Sequence, residues 1–470
     1  MRTTITLALA AATVLSLATP VAAAPARAIT WAPCAEDASV DCGSLVLPID
    51  WADPGAGAFT LALARKKARV PSERVGALVF DPGGPGNEGK DWLLHKDFFT
   101  PTIHDRFDIV GFDPRGTGDS QAITCDPALV AALPTSDPST PQGFADALTY
   151  NRKLAADCRQ RSGPLFDHID DLSVARDLEA IRAALGEDKL TYYGVSYGTL
   201  IGQQYAELHP NRIRALALDS NMDHSLDVTG FLGTEAQSGE DSFQVFVQWC
   251  KRSSVCVLHG QDVNALFNRL YAKAQAGTLV DTTGAHLTPD FLSELPGRPL
   301  YAPDWAGIAQ QLRAIDAGTF TMPEDGASPY FQFAFCSDWS FDLPNAASVA
   351  YQRKIDNALA PVTRVSGTGW PAMRNCVGQQ HVSNPQQRLQ VHGAPPILMV
   401  GALHDPATPY VWQTDVASQL PTATLLTYDG WGHGQYFKSG CVDNAVDDYL
   451  ISLALPAKGT HCPAVPPAGS

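Results

Sequence analysis

The sequence lacks the features by which several large classes of protein are recognised. Beyond its first residues it has no apolar run long enough to span a bilayer. None of its cysteines has the CxxC or Cys/His spacing of a zinc site, and we predict neither a metal nor a cofactor. Basic residues are scarce, because 33 Lys and Arg face 49 Asp and Glu, which gives a formal charge of −16. Such an acidic surface repels nucleic acid and anionic membranes, and we expect neither as a partner.

The first 28 residues are typical of an export signal. A short positive start is followed by the apolar run Ile5–Leu17 and then by small residues. Cleavage after Ala23 and cleavage after Ala28 are both predicted alternatives, whereas Pro25 disfavours a cut directly before it. A membrane anchor is the other interpretation, but the apolar run is short for that purpose. The signal therefore predicts a secreted, extracellular protein.

The cysteines indicate disulfides, because the chain has ten of them and an even number is typical of exported proteins. Sequence alone does not fix their connectivity. Pairing of neighbours in chain order is favoured, since short loops close at the least entropic cost. The favoured pairs are Cys34–Cys42, Cys125–Cys158, Cys250–Cys256, Cys336–Cys376 and Cys441–Cys462.

Short, apolar, β-rich runs recur along the chain, and helical patterns alternate with most of them. Val174, Leu178, Ile181 and Leu185, for example, fall on one face of a helix that should end at Gly186. This alternation indicates an α/β fold, with a mostly parallel sheet flanked by helices. The predicted strands are Gly43–Ile49, Phe59–Ala64, Val75–Phe80, Phe107–Phe112, Leu190–Val195, Arg214–Leu218, Pro396–Val400 and Ala423–Tyr428.

The alternation stops between the strand that ends near Asp219 and the strand that starts at Pro396. Helical patterns such as Asp241–Cys250 and Asp262–Ala276 occupy this stretch without a clear βα repeat. We therefore predict that residues 225–389 form an inserted, mainly helical lid domain. Residues 29–224 and 390–470 would together form the core.

The strongest chemical signal is Gly194-Val-Ser196-Tyr-Gly198, which lies between a predicted strand and a predicted helix over Leu200–Leu208. In that context a G-x-S-x-G turn holds the serine on a sharp bend, with its hydroxyl above the sheet. The flanking glycines let the strand and the helix approach each other. Outside that context the pattern is weak and describes an incidental turn. Here it predicts that Ser196 is the nucleophile of a hydrolase.

A serine nucleophile needs a base beside it and an acid that orients the base. Among the twelve histidines, His433 is best placed, because it lies in a glycine-rich loop after the last predicted strand. Asp405 follows the preceding predicted strand, where its carboxylate would hold the imidazole in one tautomer. The alternatives are His404 as the base and Asp219 as the acid.

Two backbone N–H groups should face the negative charge that develops on the substrate oxygen. We expect one from Tyr197, which follows the nucleophile, and one from Gly84 in the loop Asp81–Gly86. This loop follows a predicted strand, and its glycines would let backbone amides approach a substrate. A phosphate-binding role is weakly supported, because the Lys and Ser/Thr of a P-loop do not follow.

Five motifs follow one another along the chain, and they are Gly83–Gly86, Asp113–Ser120, Gly194–Thr199, Asp405–Pro409 and Gly432–Gly434. Together they resemble the motifs of the secreted tripeptidyl aminopeptidases, which are relatives of the prolyl aminopeptidases. The resemblance covers about 75–440 and implies the α/β-hydrolase fold, with the oxyanion loop in the first motif and the triad in the last three. Prolyl aminopeptidases typically have His at the position of Pro82, which favours the tripeptidyl branch.

The resemblance implies a serine exopeptidase that releases short peptides, with tripeptides expected, from substrates with a free N-terminus. A carboxylesterase or lipase with the same triad is the alternative function. A secreted binding protein that has kept the fold is a third, and an intact set of Ser, Asp and His disfavours it. The oligomeric state is not predicted.

A free N-terminus is an ammonium near neutral pH, and carboxylates bind it well in a closed pocket. Two acids of the predicted lid are candidates for this role. Glu240 lies in the stretch Gly233–Asp241, which we expect to precede a helix, and Asp338 lies among aromatic residues beside a predicted disulfide. Each could instead be a solvated acid or a charge at the start of a helix.

Overall fold

The structure is a computed structural model that describes residues 29–96, 98–323, 329–378 and 382–467. The predicted export signal lies outside these residues. Within them, ten strands form one sheet in the order β1-β2-β3-β5-β4-β6-β7-β8-β9-β10. The strands are β1 (Ala32–Pro33), β2 (Asp41–Pro48), β3 (Ala58–Lys66), β4 (Gly76–Asp81), β5 (Phe107–Phe112), β6 (Leu190–Val195), β7 (Ile213–Asp219), β8 (Ile397–His404), β9 (Ala423–Trp431) and β10 (His461–Cys462).

The sheet is parallel from β5 to β10, and β1, β2 and β3 add an antiparallel edge. The central strands β4 and β6 are buried at every residue, as expected for parallel strands that are covered on both faces. All eight predicted strands are present, with small shifts at their ends. The predicted fold class, a mostly parallel sheet flanked by helices, is confirmed.

Helices cover both faces of the sheet, and alternate residues of a strand pack against opposite layers. Val79 packs with the cluster that contains α5, α6 and α15, whereas Phe80 packs with the cluster that contains α1, α2 and α16. The helices are α1 (Gly89–His95), α2 (Pro101–Arg106), α3 (Pro127–Val130), α4 (Pro141–Ser162), α5 (Asp171–Ala184), α6 (Tyr197–Leu208), α7 (Val228–Arg252), α8 (Val263–Gln275), α9 (Pro289–Glu294), α10 (Gly297–Tyr301), α11 (Trp305–Asp316), α12 (Pro329–Asp338), α13 (Ala346–Leu359), α14 (Gly369–Cys376), α15 (Tyr410–Gln419) and α16 (Gly440–Ser452).

The chain between β7 and β8 forms α7 to α14, and we call Val228–Cys376 the helical segment. It has an apolar cluster of its own, in which Phe243, Phe267 and Leu312 are fully buried. The helical character of this stretch agrees with the sequence pattern. Its predicted limits, 225–389, and its role as a lid stay predictions.

Helix α7 starts earlier than the sequence pattern indicated. It begins at Val228, where the carboxylate of Asp227 accepts the N–H of Gly230 as an N-cap. The stretch Gly233–Asp241 therefore lies inside the helix, and the prediction that it precedes the helix was wrong. Glycine weakens a helical pattern, but a Cβ on Gly233 would lie 3.1 Å from Cδ1 of Leu359, so glycine here permits close packing against α13.

All five predicted disulfides are formed. Two of them hold the short edge strands that the apolar pattern did not predict. Cys34, directly after β1, is bonded to Cys42 in β2, and Cys462 in β10 is bonded to Cys441 in α16. Covalent links thus fix edge elements that are too short to bury a core of their own.

Candidate active site

Ser196 occupies the turn between β6 and α6. Its φ of +57° and ψ of −122° are unfavourable for a residue with a side chain. A Cβ on Gly194 would lie 2.5 Å from the carbonyl oxygen of Gly198, and a Cβ on Gly198 would lie 2.7 Å from the carbonyl oxygen of Asp81. The two glycines therefore permit a tight turn, and the side chain of Ser196 stays partly exposed at its tip.

Asp405 and His433 follow the neighbouring parallel strands β8 and β9. Nδ1 of His433 lies 3.0 Å from each carboxylate oxygen of Asp405. Asp405 is fully buried, and its carboxylate also accepts the backbone N–H groups of Ala407 and Thr408. Burial alone would raise the pKa of Asp405, but the charge and the hydrogen bond of His433 and these N–H groups hold it below its usual range. The arrangement fixes the Nδ1 edge of the imidazole and keeps Asp405 ionised.

Asp219, the alternative acid, binds the backbone of the loop that carries His433. Its Oδ2 accepts the N–H groups of Gln435 and Tyr436 at 2.7 and 3.0 Å and the hydroxyl of Tyr193 at 2.8 Å. The structure thus places this carboxylate against the main chain after His433, whereas Asp405 lies against its ring. Sequence reasoning found both acids, because both end strands, but could not tell their partners apart.

His404, the alternative base, lies away from the carboxylate of Asp405. Its Nδ1 is 2.6 Å from Oδ2 of Asp241, in α7. Both side chains are partly exposed to solvent. His404 therefore connects the end of β8 to the helical segment through a hydrogen bond.

The loop after β4 approaches the turn at Ser196 very closely. A Cβ on Gly83 would lie 2.3 Å from the carbonyl oxygen of Val195 and 3.1 Å from the backbone nitrogen of Tyr197. The N–H of Gly83 donates to Oδ1 of Asp81, which makes the next amide, that of Gly84, the candidate oxyanion donor. Tyr197 begins α6, and the first N–H groups of a helix have no partner within the helix. Gly84 and Tyr197 stay predictions as donors.

Comparison with known proteins decides the family. The profile of the α/β-hydrolase fold matches residues 76–439. The chain belongs to the α/β-hydrolase family. This hydrolase is 30% identical to the tripeptidyl aminopeptidase of Streptomyces lividans over 486 aligned residues. The alignment covers 94% of this chain and 88% of that protein. The hydrolase is also 30% identical over 491 residues to the serine protease Hip1 of Mycobacterium tuberculosis, with 92% and 91% covered.

A third relative of this α/β-hydrolase has a different name. Carboxylesterase B of Mycobacterium tuberculosis is 31% identical over 457 residues, which cover 90% of this chain and 86% of that protein. The resemblance to the tripeptidyl aminopeptidases is confirmed, and the chain is a serine hydrolase. In the part of the chain that the structure describes, no helix is both long and apolar enough to cross a membrane. Across the same residues, no group of three or more His, Cys, Asp or Glu is placed to hold a metal ion.

The first predicted amine-binding acid of the hydrolase, Glu240, is buried in α7. Its Oε2 accepts the backbone N–H groups of Val362 and Thr363 at 3.0 and 2.8 Å, and the hydroxyl of Thr363 at 3.0 Å. Its Oε1 accepts the side-chain amide of Gln244 at 2.8 Å. These contacts link α7 to the chain that follows α13. A role in binding a substrate amine stays a prediction.

The second acid, Asp338, is fully buried at the end of α12. Its Oδ2 accepts the hydroxyl of Tyr197 at 2.9 Å, and its Oδ1 accepts the side-chain amide of Asn384 at 2.6 Å and the backbone N–H of Asp171 at 3.0 Å. Burial, together with the charge of Asp170, raises the pKa of Asp338 well above its usual range. Asp338 thus contacts the side chain of the residue after the nucleophile, and its amine-binding role stays a prediction.

Sequence reasoning missed a cluster of three buried carboxyl groups, Asp81, Asp171 and Asp338, beside the candidate oxyanion loop. Burial raises the pKa of Asp81 to about 7. Burial also raises the pKa of Asp171, and the charges of Asp338 and Asp81 add to this effect. The three residues come from β4, α5 and α12, so no local pattern could have predicted that they meet.

Proposed function

We propose that this hydrolase is a secreted serine exopeptidase that releases tripeptides or similarly short peptides from free N-termini. The observation that carries the proposal is the pair of Asp405 and His433, which follow the carboxyl ends of β8 and β9 on the same edge of the sheet as the Ser196 turn. Side chains at the carboxyl ends of parallel strands meet at one edge, where α/β proteins bind their ligands. The names of two relatives, a tripeptidyl aminopeptidase and a serine protease, support peptides as the substrates.

In the proposed mechanism, Oγ of Ser196 attacks the scissile carbonyl while His433 accepts the hydroxyl proton. Asp405 stabilises the imidazolium, and the N–H groups of Gly84 and Tyr197 bind the oxyanion of the tetrahedral intermediate. The intermediate collapses as His433 gives its proton to the leaving amine. The shortened peptide departs, and the N-terminal segment of the substrate stays bound to Ser196 as an ester. Water then hydrolyses this ester, with His433 acting again as the base.

Selection of a free N-terminus is proposed for Glu240 and Asp338. Each carboxyl group already accepts hydrogen bonds, so a substrate ammonium would join an existing network. If the acids bind the amine, Glu240→Gln or Asp338→Asn should lower kcat/KM for free-amine peptides far more than for a simple ester. Equal losses with both substrates would leave the acids with a structural role only.

A carboxylesterase that uses the same residues is the second candidate function. It is supported by the relative named carboxylesterase B, which is about as similar in sequence as the peptidases are. An esterase needs the nucleophile, the base and the oxyanion donors but has no use for a free amine. The two functions therefore differ in what they require at the substrate N-terminus.

Three matched substrates test this difference. Hydrolysis should be measured for a tripeptide p-nitroanilide, for its N-acylated form and for a p-nitrophenyl ester. We expect an exopeptidase to cleave the free tripeptide anilide and to lose this activity when the amine is acylated, because acylation removes the charge. Cleavage of the ester alone, or indifference to acylation, would favour the esterase.

Secretion has its own support and its own test. The five disulfides fit an oxidising compartment outside the cytoplasm. N-terminal sequencing of the exported protein should find Ala24 or Ile29 as the first residue, according to the cleavage site used. An N-terminus at Met1 in exported material would contradict the predicted signal.

A further inference from the structure

A backbone carbonyl of the helical segment binds the loop that carries the proposed base. The carbonyl oxygen of Tyr301, at the end of α10, accepts the backbone N–H of His433 at 2.9 Å. It also accepts a hydrogen bond from Nζ of Lys438 at 3.1 Å. The last carbonyls of a helix have no partner within the helix, so this oxygen is available for both bonds. We call Tyr301–Trp305 the strap.

The strap and the loop are in close contact at Gly432. Gly432 has a φ of +95°, and a Cβ there would lie 2.6 Å from the carbonyl oxygen of Tyr301 and 2.8 Å from Cδ of Pro303. The ring of Trp305 packs edge-on against Trp431 with 5.2 Å between their centroids. The strap therefore cannot move closer to the loop without displacing it.

The ring of the proposed base is part of the same contact. The rings of Tyr301 and His433 lie 4.9 Å apart between centroids. The hydroxyl of Tyr301 lies 2.7 Å from Oγ1 of Thr368, in the turn before α14. The hydroxyl of Tyr301 thus anchors the strap in the helical segment, and the ring of the same residue contacts the imidazole of His433.

Lys438 adds a half-buried positive charge to this contact. Burial lowers the pKa of Lys438, while the negative charges of Asp219 and Asp405 oppose that shift. Placing an ammonium out of water costs free energy unless polar groups receive it. The Tyr301 carbonyl receives it here, within the field of Asp219 and Asp405, which both contact the His433 loop.

We propose that Lys438 is a positioning residue that fastens the strap to the loop and so holds His433 where it can accept the proton of Ser196. The inference rests on the proposed function, because it takes Ser196 and His433 as the reacting pair. Loss of the ammonium removes a hydrogen bond that the carbonyl oxygen of Tyr301 accepts from the loop, and the bond from the N–H of His433 remains. A small displacement of a general base lowers the rate of the chemical step more than it lowers substrate affinity.

Lysine variants test the proposal. Lys438→Met keeps most of the stem and removes the charge, Lys438→Arg keeps a cationic donor, and Lys458→Met, at an exposed position, is the matched control. Two measurements are made. The first is the rate at which a small fluorophosphonate labels Ser196, and the second is KM together with kcat, where kcat is calculated from the titrated concentration of active enzyme. We expect Lys438→Met to lower the labelling rate and kcat roughly 10- to 100-fold and to change KM by no more than about twofold. Lys438→Arg should recover most of kcat, and Lys458→Met should match the unmodified enzyme.

A stabilising role gives a different result. If Lys438→Met lowers the melting temperature but leaves the labelling rate per folded molecule unchanged, Lys438 does not position the base and the proposal is overturned. Absence of labelling at Ser196 in the unmodified enzyme would instead refute the proposed function. The two failures are therefore distinguishable.

A second pair of variants applies if Lys438→Met does not fold. Gly432→Ala pushes the strap away from the loop, whereas Gly434→Ala, also at a positive φ of +69°, would bring its Cβ against Cγ1 of Val195 at 3.2 Å and not against the strap. Both changes strain the backbone of the same loop. We expect slower labelling in Gly432→Ala than in Gly434→Ala, and equal rates would overturn the proposal.

Discussion

The side chain of Ser196 is partly exposed at a strained turn and supports little of the core around it. Ser196→Ala should therefore leave folding intact while it lowers kcat on the order of 10⁴-fold or more, because the nucleophile is lost. A fluorophosphonate should label Ser196 in the unmodified enzyme, as peptide mapping by mass spectrometry can show. Labelling at another serine would contradict the assignment.

The two buried aspartates that end β7 and β8 should respond differently to loss of charge. In Asp405→Asn the amide no longer stabilises an imidazolium, so kcat should fall about 10³- to 10⁴-fold. In Asp219→Asn the amide oxygen can still accept the N–H groups of Gln435 and Tyr436, so the loss should be much smaller. Steady-state kinetics of both variants decide the matter, and the reverse order of losses would make Asp219 the acid.

The pH dependence of catalysis should come from the base. Because an imidazolium cannot accept the proton of Ser196, kcat/KM should fall as the pH drops below neutrality. The carboxylate of Asp405 stays ionised there, since its pKa is held below its usual range. A pH–rate profile with a substrate that has no titrating group checks this. A rate that increases toward acid pH would be inconsistent with a neutral base.

At the scale of helices and strands, the elements that the sequence predicted best are those that bury a whole apolar run. The eight long strands follow such runs, and α5 ends at Ala184 shortly before Gly186, whose φ is +75°. The strands β1 and β10 have two residues each, too few to give a pattern. The start of α7 was missed because glycines that serve helix packing look like loop residues.

The candidate site likewise contains residues with a local sequence pattern, which could be predicted, and residues without one, which could not. Ser196 was predicted from one contiguous motif, and Asp405 and His433 from their positions after strands. The strap and the three buried carboxyl groups are formed by residues far apart in sequence, which the fold alone brings together. Backbone carbonyls such as that of Tyr301 leave no trace in a sequence, because every residue type has one.

Helix α7 offers a test at the same scale. Asp227 caps its N-terminus, and the helix runs for 25 residues through the helical segment. Asp227→Ala should lower the free energy of unfolding by about 1 kcal/mol, since the N–H of Gly230 loses its acceptor. Urea denaturation measures the change. Asp126→Ala removes the cap of the four-residue helix α3, which buries no residue, and should cost less.

For the molecule as a whole, the raised pKa of Asp81 predicts how stability changes with pH. The folded state holds a proton on Asp81 up to about pH 7, whereas an unfolded aspartate releases it near pH ~3.9. The stabilisation that this proton gives is complete below pH ~3.9 and is lost as the pH rises to about 7.

Asp81→Asn should remove this dependence, because an amide does not titrate. The stability of the variant relative to the unmodified protein should increase with pH between about 4 and about 7 and stay constant above. Denaturation curves at a series of pH values measure it, with Asp342→Asn, at an exposed position, as the control. A stability difference that does not change with pH would show that Asp81 ionises alike in both states.

The order of the strands along the chain also has a consequence for biosynthesis. Ser196 lies before the helical segment, whereas Asp405 and His433 lie after it, following β8, which pairs with β7, and β9, which pairs with β8. A ribosome makes the nucleophile first and the base last, so a nascent chain that carries Ser196 has no partner to activate it. We expect an unfinished or interrupted polypeptide to be inert towards the peptides around it, with hydrolytic activity arising only once translation has passed His433.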